Sequence, residues 1–321
     1  MTKNFVTGIG GFVASHLADT LIENGETVYG SYRWFEDTSR IKHLVGHSNF
    51  HMVPMDLVDQ GSCLQAINEV QPDYVYHLAA QSFVSESFNY PLATMMANGC
   101  GTLNLLEAIR LSKQDPVVLV CSSSEVYGLV KKEDVPIKEN QSFNPSNPYA
   151  VSKVAADMFG LMYFTNYGMK IIRTRFFTHT GPRRTMQSAE CNFARQIALI
   201  EKEKQEPILR HGNLESIRTW ADVRDAVKGY YILSRKGTYG DVYNIGGSTT
   251  KTIGETLNTL LSFSTMKDKI KLEQDQKLMR PYDVTLQIPD ISKFKATTGW
   301  EPEISFEKTM CDLLNDWRER V

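Results

Sequence analysis

The chain has 321 residues, of which 42% are hydrophobic and 22% charged, a composition typical of ordinary globular proteins that excludes intrinsic disorder and collagen-like repeats. At about 100–200 residues per domain, the length predicts two domains or one large α/β unit. The 35 basic and 37 acidic side chains give a net charge of −2, so a chain-wide basic surface is absent and we expect no nucleic-acid partner.

The sequence also bears on membranes, metals and location. No run approaches the about 18 apolar residues of a membrane-spanning helix, so we expect no membrane partner. The N-terminus enters a strand-like run without the pattern of a signal peptide. The five cysteines lie far apart and share no metal-type spacing, which favours reduced, buried thiols over disulfides or zinc ligands. These observations predict a cytoplasmic protein without a metal site.

The first half of the chain alternates strand and helix patterns. A short strand at residues 5–6 is followed by helical spacing of apolar residues from Ser15 onward. Further strands are predicted at residues 26–32, 50–55, 74–79, 117–121 and 170–176, and further helices at residues 61–70, 103–109 and 150–167. Such alternation predicts an α/β fold, a doubly wound parallel (Rossmann) sheet with helices on both faces.

The pattern changes beyond about residue 178, which predicts a smaller, lid-like C-terminal substrate-binding domain. The charge run at residues 201–204 predicts one exposed helix face, while residues 241–245 resemble a strand and residues 251–263 a helix. We therefore predict a dinucleotide-binding domain over residues 1–177, with a returning segment near 240–265. The substrate domain is predicted over residues 178–239 and 266–321.

A glycine-rich turn connects the first strand to the first helix, the context in which glycine spacing indicates dinucleotide binding. Gly8 permits the tight turn, Gly11 lets the backbone approach a pyrophosphate, and Ala14 takes the third small position. The N–H groups at the helix start would face the phosphates. The predicted cofactor contacts are Gly8, Gly10, Gly11, Phe12 and Val13. An ordinary βα turn could use the same glycines.

The residues after the second and third strands bear on the choice of cofactor. Arg33 follows the second strand, and a guanidinium there suits the 2′-phosphate of NADP. Glu36 and Asp37 lie just beyond and could reach a ribose, which leaves NAD open. Asp56 and Leu57 end the third strand, where they would contact the adenine or simply belong to a helix N-cap region.

A Tyr-x-x-x-Lys pattern opens the helix predicted at residues 150–167. The spacing places Tyr149 and Lys153 on one helical face. A lysine ammonium there would lower the pKa of the phenol, which is about 10 when unperturbed. A tyrosine tuned in this way can exchange a proton with a sugar hydroxyl or carbonyl. A surface pairing of the two side chains is the alternative.

Polar residues follow the apolar strand at residues 117–121 directly. The carboxyl end of a central parallel strand points into the crevice where ligands bind. Ser123 could hydrogen-bond a reacting oxygen there, and Glu125 could serve as a general base or acid. Alternatively, both residues only cap the following turn.

Taken together, these motifs resemble a known family over essentially the whole chain. The chain resembles the extended short-chain dehydrogenase/reductase superfamily at residues 7–14, 77–82, 123–128 and 149–153. The later segments are similar to the GDP-mannose 4,6-dehydratases and to the related GDP-4-keto-6-deoxymannose reductases, at residues 177–184, 212–214, 218, 222–225 and 280–281.

The resemblance implies a mechanism for this chain. Tyr149 would take the proton of the sugar 4-hydroxyl while a hydride passes from C4 to the nicotinamide. Glu125 would then remove the acidified C5 proton and help to expel the C6 hydroxyl as water, after which the hydride returns to C6. Ser123 would contact the 4-oxygen, and Lys153 the nicotinamide ribose. One hydride store thus serves all three steps.

The resemblance also implies ligand contacts and an assembly. Arginine suits pyrophosphate because its guanidinium binds oxygens in pairs. The implied cofactor contacts after the fourth strand are Leu78, Ala79, Ala80 and Gln81. The implied GDP-sugar contacts are Ser82, Ser124, Thr178, Arg184, Asn192, Arg218, Arg280 and Asp283. A homodimer or homotetramer is implied through the helices around residues 102–111 and 150–167.

Some positions depart from the dehydratase pattern. Thr178 stands where relatives commonly carry asparagine, and Gly181 where many dehydratases carry serine. Residues 205–207 and 222–225 look more like the reductases. We favour a dehydratase, with a 4-keto reductase or 4-dehydrogenase as the alternative and a 4-epimerase more distant. From a different class, a non-catalytic dinucleotide-binding protein would use the same fold.

Overall fold

The computed structural model describes residues 1–279 and 284–321. Its main element is a seven-stranded sheet in which all strands run parallel, in the order β10-β6-β5-β4-β1-β2-β3. Numbered along the whole chain, these strands are β1 (Lys3–Val6), β2 (Thr27–Tyr32), β3 (Phe50–Pro54), β4 (Tyr74–His77), β5 (Val117–Cys121), β6 (Ile171–Phe176) and β10 (Val242–Ile245).

Helices cover both faces of this sheet. Along the whole chain the helices are α1 (Phe12–Glu23), α2 (Gln60–Val70), α3 (Val84–Asn89), α4 (Pro91–Met95), α5 (Gly101–Ser112), α6 (Pro148–Tyr167), α7 (Ala189–Glu201), α8 (Val223–Lys236), α9 (Ile253–Ser262), α10 (Ser292–Thr298) and α11 (Phe306–Arg320). Helices α1 and α8 lie on one face of the sheet, and α2 and α5 on the other. A π-helical turn, Met96–Cys100, joins α4 to α5, and a 3₁₀ turn, Ser124–Tyr127, follows β5.

The strand sequences explain the two-sided burial. Every residue of β5 is buried, as expected of a central parallel strand. Alternate side chains of the strands enter different cores: Leu119 packs on the side of α1 and α8, and Val118 on the side of α2 and α5. The order of connection reverses at β1, which lies between β2 and β4. Ligands bind at the carboxyl ends of strands beside such a reversal.

A second group of elements forms what we call the small lobe. Its strands are β7 (His179–Thr180), β8 (Ile208–His211), β9 (Ile217–Asp222), β11 (Thr249–Thr252), β12 (Lys271–Gln274) and β13 (Leu286–Gln287). β9 pairs with β7, β11 and β13, and β8 pairs with β12. Helices α7, α9 and α11 share a separate apolar core around Phe193, Leu257 and Leu313.

The α/β fold class predicted from the sequence is confirmed, and strand β10 returns to the main sheet beside β6. Two helices pack on the other side of the predicted domain boundaries, because the apolar face of each belongs to the core of the other region. Helix α8, whose residues were assigned to the second domain without a predicted helix, packs on α1 and the main sheet. Helix α9, predicted in the returning segment, packs on α7 and α11. The division into two functional domains stays a prediction.

The charge run at residues 201–204 was wrongly predicted to be one face of a helix. Helix α7 ends at Glu201, and residues 202–204 form a turn in which Glu203 has a positive φ of 57°. The Glu201 carboxylate accepts two hydrogen bonds from the Arg318 guanidinium, each 2.8 Å long. This ion pair fastens the end of α7 to α11.

A buried ionic network joins α6 to the main sheet. The fully buried Asp157 on α6 accepts hydrogen bonds from Arg173 (2.7 Å) and Arg175 (2.8 Å) on β6. Arg175 also donates to the Tyr127 hydroxyl (3.0 Å), which donates to Asn244 on β10 (2.7 Å). The network therefore links the helix, two strands and the turn after β5.

We expect Asp157→Ala to lower the free energy of unfolding by about 3–5 kcal/mol, because it leaves two buried guanidinium groups without their counter-charge. The control, Asp115→Ala, removes an exposed partner of Lys170 and should cost about 0–1 kcal/mol. Urea denaturation of the three proteins measures both changes. Equal stability of the two variants would contradict a structural role for the network.

Candidate active site

The glycine turn fits closely against its neighbours. Gly8 has a φ of +69°, and a Cβ on it would lie 2.9 Å from the Cα of Ala79. A Cβ on Gly10 would lie 2.5 Å from the backbone oxygen of Asp37. Because the N-cap of α1 is Gly11, no side chain caps the helix, and its first N–H groups, including those of Phe12 and Val13, point towards the turn.

A buried hydroxyl ties this turn to the loop after β4. The Thr7 Oγ1 accepts hydrogen bonds from the backbone N–H groups of Leu78 (3.0 Å) and Ala79 (2.9 Å) and lies 3.0 Å from His77 Nδ1. The predicted cofactor residues on the two sides of the switch point are thereby brought together. Ala80 lies in the same loop and is half-buried.

The same loop is tied to helix α6 through the π-helical turn. The Gln81 backbone N–H donates to the Asn98 Oδ1 (2.8 Å), and the Asn98 Nδ2 donates to the Ser152 hydroxyl (2.9 Å). Ser152 in turn donates to the backbone oxygen of Tyr149 (2.7 Å). Asn98 was missed by the sequence analysis, although an asparagine inside an apolar helical run is a readable signal.

The loop after β2 lies over the glycine turn. Arg33 is exposed, and its backbone N–H donates to the Glu36 carboxylate (3.0 Å). Arg40 was missed by the sequence analysis: it donates to the backbone oxygens of Gly10 (3.1 Å) and Arg183 (2.8 Å). The guanidinium that contacts the glycine turn is therefore that of Arg40.

Asp56 and Leu57 differ in surroundings. The exposed Asp56 accepts a hydrogen bond from the Val58 N–H (3.0 Å) in the turn before α2. The N-cap of α2 is Asp59 rather than either predicted residue. Leu57 is buried against Gly101 at the start of α5. Only its neighbour Asp56 therefore presents a polar group at the surface.

Tyr149 and Lys153 lie on one face of α6, as predicted from their spacing. The helix begins here because Asn147 caps it, accepting a hydrogen bond from the Ala150 N–H (2.8 Å), and Pro148 takes its first position. Both functional side chains are buried, Tyr149 at 8% exposure and Lys153 at 7%. The helix therefore presents them inwards to the sheet.

The prediction that Lys153 lowers the pKa of Tyr149 is wrong for this structure. Burial raises the pKa of Tyr149 to about 12, with the Ser123 hydroxyl and the Arg184 charge as the groups that oppose it. The Lys153 Nζ instead donates to the backbone oxygen of Cys121 (2.7 Å), and burial lowers the pKa of Lys153 to about 8. Removal from water outweighs the pairing that the spacing suggested.

Ser123, Glu125 and Tyr149 converge at the carboxyl end of β5. The Ser123 hydroxyl hydrogen-bonds the Tyr149 phenol and also accepts a hydrogen bond from the Glu125 N–H (3.2 Å). The negative charge of Glu125 acts on Tyr149, which raises the pKa of the phenol further. A hydroxyl, a phenol and a carboxylate thus share one site, as predicted, and their chemical roles stay predictions.

Two amide side chains hold the Glu125 carboxylate. The Asn147 Nδ2 donates to Glu125 Oε2 (3.1 Å), and the Gln287 Nε2 donates to Glu125 Oε1 (3.0 Å). The sequence analysis missed both contacts. The Asn147-Pro148 pair is a readable helix start, but nothing near Gln287 in the sequence indicates its role, since it lies in another lobe.

Arg184, predicted to bind the substrate phosphates, already has partners within the protein. Its guanidinium donates to the Ser188 hydroxyl (3.0 Å), contacts the buried Glu190 carboxylate (3.1 Å) and donates to the backbone oxygen of His179. Its charge nevertheless reaches Tyr149, where it favours the phenolate. Arg184 therefore lies on the phenol side of the site.

The remaining predicted substrate residues are distributed over both lobes. Ser124 is buried in the turn after β5, whereas Ser82 is exposed in the loop after β4. The backbone oxygen of Thr178 accepts a hydrogen bond from β9 (3.0 Å). Asn192 lies on α7 and Arg218 on β9. Two members of the predicted set lie outside the described residues: Arg280 and Asp283.

The five cysteines carry no disulfide, and Cys63, Cys121 and Cys191 are buried. Within residues 1–279 and 284–321, no group of histidine, cysteine or carboxylate side chains is placed to hold a metal ion. None of the helices in these ranges is both long and apolar enough for a membrane span.

Comparison with known proteins identifies the family. The family model described as GDP-mannose 4,6 dehydratase matches residues 5–313. The chain belongs to the GDP-mannose 4,6-dehydratase family. The GDP-6-deoxy-D-mannose reductase of Pseudomonas aeruginosa is 32% identical, over 99% of this chain and 97% of that protein. The GDP-mannose 4,6-dehydratase of Yersinia enterocolitica is 30% identical, over 98% of this chain and 93% of that protein.

A solved structure agrees with this family assignment. The RMD protein of Pseudomonas aeruginosa in complex with NADPH superposes with a TM-score of 0.84 at 30% identity, over 100% of both chains. The family thus contains enzymes named as dehydratases and as reductases at similar distances from this chain. The chain is therefore a GDP-sugar dehydratase or reductase of the extended short-chain dehydrogenase/reductase type.

We expect Lys153→Met to raise the free energy of unfolding near neutral pH. Removing the buried charge contributes up to about 3 kcal/mol, and losing the hydrogen bond of Lys153 costs about 1 kcal/mol. The folded pKa of Lys153, about 8, lies below its ordinary value of 10.5. Between these pH values the unfolded chain therefore binds more protons than the folded one. The free-energy cost of burying the charged Lys153 is complete below about pH 8 and disappears as the pH rises towards 10.5.

Urea denaturation across this pH range measures the stability difference between wild type and Lys153→Met. The control, Lys170→Met, replaces a half-exposed lysine and should give no gain at any pH. A Lys153→Met variant that gains no stability near neutral pH would contradict the burial of a charged ammonium.

Proposed function

We propose that this protein is a nucleotide-sugar 4,6-dehydratase that acts on a GDP-hexose of the GDP-mannose type and forms a 4-keto-6-deoxy sugar with NADP. The observation that carries the proposal is the Glu125 carboxylate, held by Asn147 and Gln287 beside Ser123 and Tyr149. Elimination of water across C5 and C6 requires a base for the C5 proton. Glu125 is the carboxylate available for that step.

The cofactor is proposed from the residues that fit it. The turn at Gly8, Gly10 and Gly11 admits no Cβ without a clash, and the uncapped start of α1 offers N–H groups to a pyrophosphate. When bound, a nicotinamide supplies reversible storage of a hydride. The exposed Arg33 guanidinium suits a 2′-phosphate, and the P. aeruginosa RMD protein carries NADPH. These observations support NADP, with NAD as the alternative.

Tyr149 would exchange the proton of the sugar 4-hydroxyl. The buried phenol, with a pKa raised to about 12, is neutral at rest. The hydrogen bond from Ser123 and the charge of Arg184 favour the phenolate, so these two groups oppose the effect of burial as the proton moves. Lys153 is proposed to contact the nicotinamide ribose from the next turn of α6.

Glu125 would act after the C4 ketone has formed. A ketone makes the neighbouring C5–H acidic, so a carboxylate can remove this proton. The two amides that contact Glu125 donate one hydrogen bond to each carboxylate oxygen, which fixes the direction of the carboxylate. Transfer of the same proton to the departing C6 hydroxyl would release water and return Glu125 to its starting state. C6 of the unsaturated ketone would then accept the stored hydride and C5 a proton from solvent, which balances the proton lost from the 4-hydroxyl and completes the 4-keto-6-deoxy product.

The GDP-hexose is proposed from the names of the relatives and the arginines around the site. Arg218 on β9 and Arg184 are the described candidates for the diphosphate, with Arg280 as a third. For Arg184 this requires an exchange of partners, because Glu190 occupies its guanidinium in this structure. A GDP-sugar thus suits the small lobe better than a neutral substrate.

A net 4-keto reductase is the second candidate. It is favoured by the 32% identity to the P. aeruginosa GDP-6-deoxy-D-mannose reductase, which spans nearly the whole of both chains. Such an enzyme would use Tyr149 as a proton donor to the ketone oxygen and would need no base at C5. The role of Glu125 therefore separates the two candidates.

Glu125→Gln should stop elimination while some C4 oxidation continues, because only the base is removed. Purified protein is incubated with GDP-mannose and a catalytic amount of NADP, and the 4-keto-6-deoxy product is measured. A dehydratase forms this product without net change in reduced cofactor. The control, Glu133→Gln, replaces an exposed carboxylate and should match wild type. Full activity of Glu125→Gln would contradict the role of Glu125 as the base. Stoichiometric consumption of NADPH with a 4-keto substrate only would favour the reductase.

Tyr149→Phe should lower turnover by about 10²–10⁴-fold, the usual contribution of a general acid–base group. Affinity for NADP should stay within about twofold, because the phenol hydroxyl is proposed to act on the sugar. Steady-state rates and a cofactor titration by fluorescence give the two values. Equal losses of rate and cofactor affinity would place the hydroxyl in cofactor binding instead.

A homodimer or homotetramer is also proposed. Helices α5 and α6 leave apolar side chains exposed, among them Leu111, Val151 and Tyr167. Exposed apolar side chains on two neighbouring helices favour contact with another protein surface. Light scattering of the purified protein would measure its mass in solution.

A further inference from the structure

We propose that Gln287 is a positioning residue that holds Glu125 in place for the elimination step. The inference rests on the proposed dehydratase function and deepens it. Gln287 lies outside every motif that indicated the function, yet it is 4% exposed and donates to Glu125 Oε1 (3.0 Å). A buried amide that donates to a carboxylate fixes the direction in which that carboxylate points.

The two amides around Glu125 come from different parts of the fold. Asn147 caps α6 on the main sheet, and its Oδ1 accepts the Ala150 N–H, so only its NH₂ group can face Glu125. Gln287 comes from β13 in the small lobe. The carboxylate is therefore fixed at a junction, with one oxygen held from each side.

The backbone of Gln287 is itself held on both sides. On one side, Thr285 accepts a hydrogen bond from the Ile217 N–H on β9 (2.8 Å). On the other side, Ile288 accepts one from the Ile137 N–H (2.8 Å), in the segment that follows the Glu125 turn. A side chain that extends from so constrained a backbone can place its amide within the narrow range that a proton transfer requires.

The strand register connects this contact to the nucleotide side of the site. In the parallel pairing of β13 with β9, Gln287 lies opposite Arg218. Arg218 is the residue proposed to bind the diphosphate. One strand pair would therefore carry both a group that holds the nucleotide and the group that positions the base.

Gln287→Met tests the proposal because methionine keeps the length and the apolar part of the side chain but removes the donor. Loss of a hydrogen bond to a charged group corresponds to about a ten- to hundredfold change, and we expect this loss in kcat. The KM for GDP-mannose should stay within about twofold, because Gln287 contacts the base and not the nucleotide.

The distinguishing measurement is a single turnover of GDP-mannose with one equivalent of NADP, followed by the near-ultraviolet absorbance of the reduced nicotinamide. In wild type we expect little accumulation. In Gln287→Met, C4 oxidation continues while elimination is slow, so the reduced form should accumulate before product appears. A merely destabilised protein would instead lower all amplitudes together.

The control is Gln276→Met, the same exchange at an exposed glutamine of the neighbouring segment, which should behave as wild type. If Gln287→Met folds poorly by thermal melting, Gln287→Asn draws the amide back by one methylene and should give the same accumulation. Wild-type kinetics in Gln287→Met, or equal loss of oxidation and elimination, would overturn the proposal.

The proposed function and this inference can fail separately. If wild type does not convert GDP-mannose, the dehydratase proposal fails. The positioning role is then judged from crystal structures of wild type and Gln287→Met. Displacement of the Glu125 carboxylate in the variant supports it, and an unmoved carboxylate overturns it.

Discussion

Helix α6 carries the phenol and the ammonium of the site, and buried charges hold this helix on the main sheet. Lys153 donates to the backbone oxygen of Cys121 at the end of β5, and one turn further along Asp157 binds two arginines of β6. Removing one member of such a buried pair lowers the stability of the fold, because it leaves a charge without its partner and away from water. The position of Tyr149 relative to Ser123 follows from this attachment.

The Asp157 network reaches the carboxylate as well as the helix. Arg175 contacts the hydroxyl of Tyr127, which is two residues from Glu125 in the turn after β5. The same set of buried hydrogen bonds therefore connects the helix that carries Tyr149 to the turn that carries Glu125.

Burial also decides the protonation states of the site. Removal from water raises the pKa of Tyr149 to about 12 and lowers that of Lys153 to about 8, so each group is shifted towards its neutral form. Ser123 and Arg184 act in the opposite direction on the phenol. The pKa of Tyr149 is thus a balance between desolvation and a few polar neighbours.

Local patterns in the sequence determined a large part of this protein. The glycines at 8, 10 and 11, the strand–helix alternation, the apolar strand before Ser123 and the spacing of Tyr149 and Lys153 each depend on interactions between near neighbours in the chain. For that reason they could be recognised in the sequence alone, and they predicted the sheet, the turn and the convergence of a hydroxyl, a carboxylate and a phenol. The helix predicted at residues 251–263 corresponds to α9, whereas α8 was not predicted.

Only the tertiary structure decided which groups surround the side chains of the candidate site. Gln287 contacts Glu125 across 162 positions of sequence, and Arg40 contacts Arg183 across 143. Lys153 donates to the backbone oxygen of Cys121 instead of pairing with Tyr149. The packing of α8 on the main sheet and of α9 in the small lobe belongs to the same class. Such contacts depend on which surfaces meet when the layers pack, and on how much water this removes, and neither quantity is encoded in local spacing.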